Sequence, residues 1–308
     1  MQTARRRLFT LAQWVFAAAF IWYAVQTLRG QWAGAAERLS SLTISWTLLG
    51  AATAIVFATY LLLIDTWRRI VVASGAELPF VVAARIWFVS NLGKYVPGKV
   101  WSIAAMTIMA REQNVSPLAA AGSSILIQLV TIAAGIGVVL VAGAQAVENT
   151  GLALAAVAGV TAILAATPFI LPLLARSISA LTGRDVTLPR ISARTVWSAA
   201  ARAALSWIAY GIAFQIFVRA IFGSATGATS SYIAVYAASY IIGFLAFFAP
   251  GGAVVRESAM IAGMLRLGLS GQSDALAVAV ASRLWLTATE LLPGLVYLAL
   301  GKRSIRTE

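Results

Sequence analysis

The chain has 308 residues, 61% of them hydrophobic and only 11% charged, with a mean hydropathy of +0.88. That is more apolar surface than a soluble fold of this length can hide, so the chain is read as an all-α polytopic membrane protein. The absence of cysteine and histidine excludes disulfides, thiolate nucleophiles, imidazole bases and the usual zinc or haem ligands, and the formal charge of +13 is spread over loops between apolar runs, which argues against a nucleic-acid partner.

In chain order, Arg5, Arg6 and Arg7 lead without a small-residue cleavage site into an apolar run, read as a retained first span. Runs long enough to cross ~30 Å of hydrocarbon as a helix lie at Leu8 to Leu28, Trp46 to Ile64, Leu118 to Ala146, Leu152 to Leu174, Trp197 to Phe222 and Leu276 to Leu300. Two further apolar regions are broken. Leu78 to Leu92 and Val100 to Ala110 are separated by GKYVPGK, and Tyr232 to Phe248 and Ala253 to Leu267 by APGG. Each region (78–110 and 232–267) is expected to be a re-entrant helical hairpin, giving about six full spans plus two hairpins.

The basic clusters assign sides. With Arg5 to Arg7 cytoplasmic, Arg68, Arg69 and Arg111, then Arg176 to Arg194, then Lys302, Arg303 and Arg306 all return to that side, while AVENTG and GSATGATS on the other carry no cation. Arg29, Arg38, Arg219 and Arg266 run against the bias as a minority. The order becomes span, span, hairpin from inside, span, and then span, span, hairpin from outside, span. That is an inverted-topology repeat of residues 1–148 and 149–308 in a multi-pass protein of the cell's inner (plasma) membrane, both termini cytoplasmic. Segment 175–196 reads as a cytoplasmic surface linker.

Matching Gly/Pro breaks in the two halves of a transporter mark its substrate site. Pro97 and Pro250 each end one half-helix and suit the first position of the next. Gly98, Gly251 and Gly252 then leave backbone N–H groups open to an anion at the positive helix end. Lys94 and Lys99 bracket the first tip and Arg256 follows the second, so each candidate anion site has a cation beside it. Lys94 and Lys99 could instead snorkel to headgroups, and Arg85 is either a second cation for the site or the partner of an acid. Arg283 and Glu290 are seven apart on one face of the last span. They offer a structural brace of Arg256 with Glu290 and Glu257 with Arg283, preferred over substrate contact for Glu257 and Arg283. Gln128 and Gln215 read as interhelical glue, and Trp87, Tyr95 and Trp101 as interfacial or hairpin-packing aromatics.

KYVPGKVW with Arg111, and PGGAVVRESA with Arg283 in the last helix, resemble the lysylphosphatidylglycerol synthase transmembrane-region family, the flippase-like proteins. The resemblance covers almost the whole chain and implies that Pro97, Gly98, Lys99, Pro250, Gly251, Gly252, Arg256 and Glu257 are signature positions. Val254 and Ser258 stand where the family usually has glycine and alanine. No aminoacyl-transfer domain follows, so the chain is expected to flip or bind a lipid and not to make one. No P-loop, GxSxG, zinc motif or carboxylate pair points to an enzyme, a metal or a cofactor. The expected function is movement of an anionic phospholipid or polyprenyl-phosphate-linked glycolipid between leaflets, the headgroup phosphate held at the two tips. The alternatives are an integral glycosyl or phosphoryl transferase and a non-transporting accessory subunit beside enzymes of an envelope-glycolipid pathway.

Overall fold

A computed structural model of the chain describes residues 43–95, 100–144, 151, 154–155, 157–162, 165–166, 191–246, 249 and 252–304. Among these residues the structure is helical and contains no strand. The principal helices are α1 (Trp46–Ala73), α2 (Phe80–Asn91), α3 (Val100–Arg111), α4 (Pro117–Ala142), α5 (Ala193–Phe222), α6 (Thr229–Leu245), α7 (Val255–Arg266) and α8 (Gln272–Ser304), with a 3-10 turn at Leu92–Tyr95 after α2.

Among the described residues four helices are long and apolar enough to cross a membrane: α1, α4, α5 and the Gln272–Ala299 part of α8, with mean hydropathies of 2.1, 2.6, 1.6 and 1.4. Their 26 to 30 residues rise ~39–45 Å, beyond the ~30 Å of a hydrocarbon core. By the same rise α6, at 17 residues, reaches ~25 Å, and α2, α3 and α7, at 12 residues each, reach ~18 Å. The sequence breaks at 93–99 and 249–252 therefore separate short helices, as the Pro and Gly spacing requires. The predicted spans at Leu8–Leu28 and Leu152–Leu174 lie wholly or largely outside the described residues, as do 175–190 of the predicted linker; its end forms the first turn of α5.

Helix α1 runs past the predicted end at Ile64 to Ala73. Asp65 explains the extension: it pairs with Arg69 at 2.7 Å and Arg68 at 3.4 Å on its own helix, and with Arg202 of α5 at 2.8 Å. Charges that end a hydropathy window thus continue the helix when they meet one and three or four residues on. Helices α4 and α5 start on Ser116 and Ser192, whose hydroxyls accept the backbone N–H groups of Ala119 and Thr195. Gly223, in the left-handed region with φ +74°, stops α5.

The most extensive packing is between α1 and α5. Ser45 N donates to Ala220 O, and Asp65 meets Arg202, so the two helices are antiparallel. Small residues on α5, Ala199, Ala200, Ala203 and Ser206, are buried and let the backbones approach where lipid offers no hydrophobic drive between helices. The short pairs exchange partners. Helix α2 packs on α3 and on α8, while α6 packs on α7 and on α4.

Candidate functional site

A cavity of about 420 Å³ opens at the centre of these helices, and each of α1 to α8, or the residue at its end, contributes to its wall. The volume is that of a ligand pocket. Its polar residues include Lys94, Arg256, Arg283, Glu290 and Gln128.

Lys94 reaches the cavity because Gly93 lets the 3-10 turn lie against α3. A Cβ on Gly93 would stand 2.8 Å from the backbone N of Ser102. The side chain of Lys94 forms an ion pair with Glu290 of α8. Gly294, one turn beyond Glu290, gives α2 its close approach: a Cβ there would sit 2.9 Å from Leu92 and 3.0 Å from the carbonyl oxygen of Phe88.

Arg256 reaches the same cavity from the start of α7. Gly252, at φ +71°, rests against Gly243, where an added Cβ would be 2.7 Å from the carbonyl oxygen; a Cβ on Gly243 would in turn be 2.7 Å from that of Arg256. Val254 follows with φ +66° and ψ −48°, and Val255 N donates to Ala253 O at 2.8 Å. This is the strained form of the γ-turn, rare for any residue and least suited to a β-branched one. It launches α7 with Arg256 on its first turn.

Arg256 is 6% exposed, and its Nη2 is buried with no hydrogen-bond partner among the described residues. The guanidinium lies 5.4 Å from the ring centre of Tyr240 and 5.7 Å from that of Tyr236. A cation on an aromatic face gains ~0.5–2 kcal/mol, whereas removing an ion from water costs several kcal/mol. The rings alone do not offset burial of the charge, and an anion is the natural complement.

Glu257, 9% exposed, faces Arg283, with Arg283 Nη1 3.5 Å from Glu257 Oε1. Half of the predicted brace thus exists. The other half, Arg256 with Glu290, is replaced by the Lys94–Glu290 pair, because the 3-10 turn after α2 reaches α8 and brings its own cation.

Aromatic residues form much of the remaining wall. Tyr210 and Tyr236 stack with ring centres 5.5 Å apart, Trp207 meets Tyr240 edge-on at 5.5 Å, and Trp207 Nε1 donates to the Thr131 carbonyl at 2.8 Å. Tyr60 touches Tyr210. Sequence reasoning missed these residues, although Tyr236 and Tyr240 stand four apart and Trp207 and Tyr210 three apart, each pair on one helical face.

Of the predicted substrate-binding residues, Lys94, Gly252 and Arg256 line the cavity. Arg85 is exposed on α2 and is not in its wall: its position, five residues after Phe80, turns it away from the buried face carrying Ala83, Ala84 and Ile86. Pro97, Gly98, Lys99, Pro250 and Gly251 lie outside the described residues. Gln128 and Trp87 line the cavity and Gln215 does not. Trp101 is 49% exposed, as an interfacial or lipid-facing residue should be. Compared with known proteins, the chain matches no family model and no curated protein.

Proposed function

We propose that the protein is a lipid transporter that moves an anionic phospholipid or a polyprenyl-phosphate-linked glycolipid between leaflets, with the headgroup phosphate held in the central cavity. One observation carries this reading: cations from two separate hairpins, Lys94 and Arg256, meet in one cavity whose wall draws on every principal helix. Intramembrane charges are costly and mark substrate paths by default, and breaks at matching places in two halves are where transporters bind substrate.

The packing pattern supports an inverted repeat. Under exchange of α1 with α5, α2 with α6, α3 with α7 and α4 with α8, the contact of α2 with α8 becomes that of α6 with α4. Helices α1 and α5, counterparts under this exchange, run antiparallel, as a two-fold axis in the membrane plane demands. The short reach of α2, α3 and α7 suits hairpins that re-enter, and the apolar runs at Leu8–Leu28 and Leu152–Leu174 bring the full spans to six. Rocking of one half against the other then presents the cavity to each leaflet in turn. The motifs KYVPGKVW and PGGAVVRESA agree with membership of the flippase-like family.

The test is leaflet exchange of a fluorescent phospholipid in proteoliposomes. Lys94→Ala and Arg256→Ala are each expected to reduce exchange at least ~10-fold while the purified proteins remain folded and monodisperse, in line with loss of one charge-assisted hydrogen bond. Exchange at the rate of the unaltered protein in both variants overturns the reading.

A further inference from the structure

We infer that the cavity selects a lipid whose headgroup is a phosphodiester of net charge −1, with no cation of its own, and holds it through the guanidinium of Arg256. The inference rests on the cavity being a lipid site and narrows what it accepts. Among the described residues three cations line the cavity, Lys94, Arg256 and Arg283. Two carboxylates stand against them, Glu290 in the wall and Glu257 beside Arg283. Among the described residues, with Lys94 set against Glu290 and Arg283 against Glu257, one positive charge remains, and it is on the residue whose Nη2 is buried with no hydrogen-bond partner among them.

One negative charge balances that site. A phosphodiester carries one, whereas a phosphate monoester carries between one and two at neutral pH. Its two unesterified oxygens match the planar fork of a guanidinium, which a lysine cannot reproduce. The rings of Tyr236 and Tyr240 beside the guanidinium limit how it can turn and exclude water from it.

The rest of the wall argues for a lipid over a free ion. Ile125 and Leu129 of α4 line the cavity and are nonetheless 47% and 58% exposed. That side is apolar and open, an exit for acyl chains for which a free anion has no use.

The experiment is binding by the full-length protein in an uncharged detergent, read by quenching of tryptophan fluorescence, since Trp207 lines the cavity. The probes are phosphatidylglycerol, phosphatidic acid and phosphatidylcholine with brominated chains, and inorganic phosphate as a competitor. Phosphatidylglycerol is expected to bind tightest. Arg256→Gln is expected to weaken it about tenfold or more, and Arg256→Lys, which keeps the charge but not the fork, to fall between. Glu290→Gln adds one net positive charge and is expected to move preference toward phosphatidic acid.

Undiminished binding of phosphatidylglycerol by Arg256→Gln overturns the inference, as does equal binding of phosphatidylcholine. Displacement by low inorganic phosphate identifies a free-ion site and overturns it also. If Arg256→Gln does not fold, an unchanged preference in Glu290→Gln has the same force. Selective binding without leaflet exchange removes the transport reading and leaves this one; exchange with unselective binding does the reverse.

Discussion

Val254 holds a backbone geometry that its own side chain opposes. Residues at such φ and ψ cost ~1–3 kcal/mol, against ~0.4–1 kcal/mol for the extra chain entropy of a glycine. Val254→Gly is therefore expected to raise the thermal midpoint in detergent by a few degrees; a lower midpoint contradicts a strained turn. The strain is borne next to Arg256, so the same variant also reports whether the turn positions that guanidinium: weaker lipid binding despite higher stability is the expected signature. The resemblance read from the motif sets a glycine against Val254, but the physical reason for one there, a positive φ, was not visible in the sequence. Charges tell the same story. Arg256, Glu257, Arg283 and Glu290 were conspicuous in apolar sequence, and the seven-residue spacing on α8 suggested partners. Lys94 as a partner of Glu290 was not legible, because helical spacing relates positions on one helix and says nothing about a turn nearly 200 residues earlier in the chain.

At the scale of elements, glycines set how closely helices pack. A Cβ on Gly211 of α5 would run into the backbone of Ile233 on α6, whereas one on Gly50 of α1 would meet nothing within 4 Å among the described residues. Backbone cannot yield as a flexible side chain does, so Gly211→Ala is expected to destabilise by ~2 kcal/mol or more, the scale of overpacking a close contact. Gly50→Ala is expected to be neutral or stabilising by up to ~1 kcal/mol, since alanine is the better helix former. Thermal melts of the two variants side by side check both; equal effects would mean that α5 and α6 can part without cost. The helices themselves were largely readable: of the six long apolar runs, the four within the described residues appear as α1, α4, α5 and α8, and shorter helices stand on either side of each Pro/Gly interruption. Their ends were less so. Helix α1 continues through Asp65, Arg68 and Arg69 because these charges satisfy one another and Arg202, an interaction that a hydropathy window counts only as polarity.

For the whole molecule, the proposed inverted repeat has a definite consequence in topology. The chain has no cysteine, so single cysteines report position cleanly. Glu77→Cys and Glu112→Cys, both at exposed sites flanking the first hairpin, are expected to react with an impermeant thiol reagent from the cytoplasmic side, and Ser224→Cys, exposed after α5, from the other. Glu77 and Glu112 on opposite sides would break the hairpin reading. All three on one side would break the antiparallel arrangement of α1 and α5.

Taken alone, the sequence determined that the chain is helical and membrane-embedded, where its long helices run and where they are interrupted. These follow from local sums: hydropathy over about 20 residues and the geometry of proline and glycine act on a segment whatever surrounds it. Only the tertiary structure decided which charges share a cavity, that Glu290 is met by Lys94, that Arg256 lies beside two tyrosines with Nη2 unpartnered among the described residues, and that Arg85 stays outside. Those outcomes depend on helices from distant parts of the chain packing at glycine contacts, and no local sum contains the distance between them.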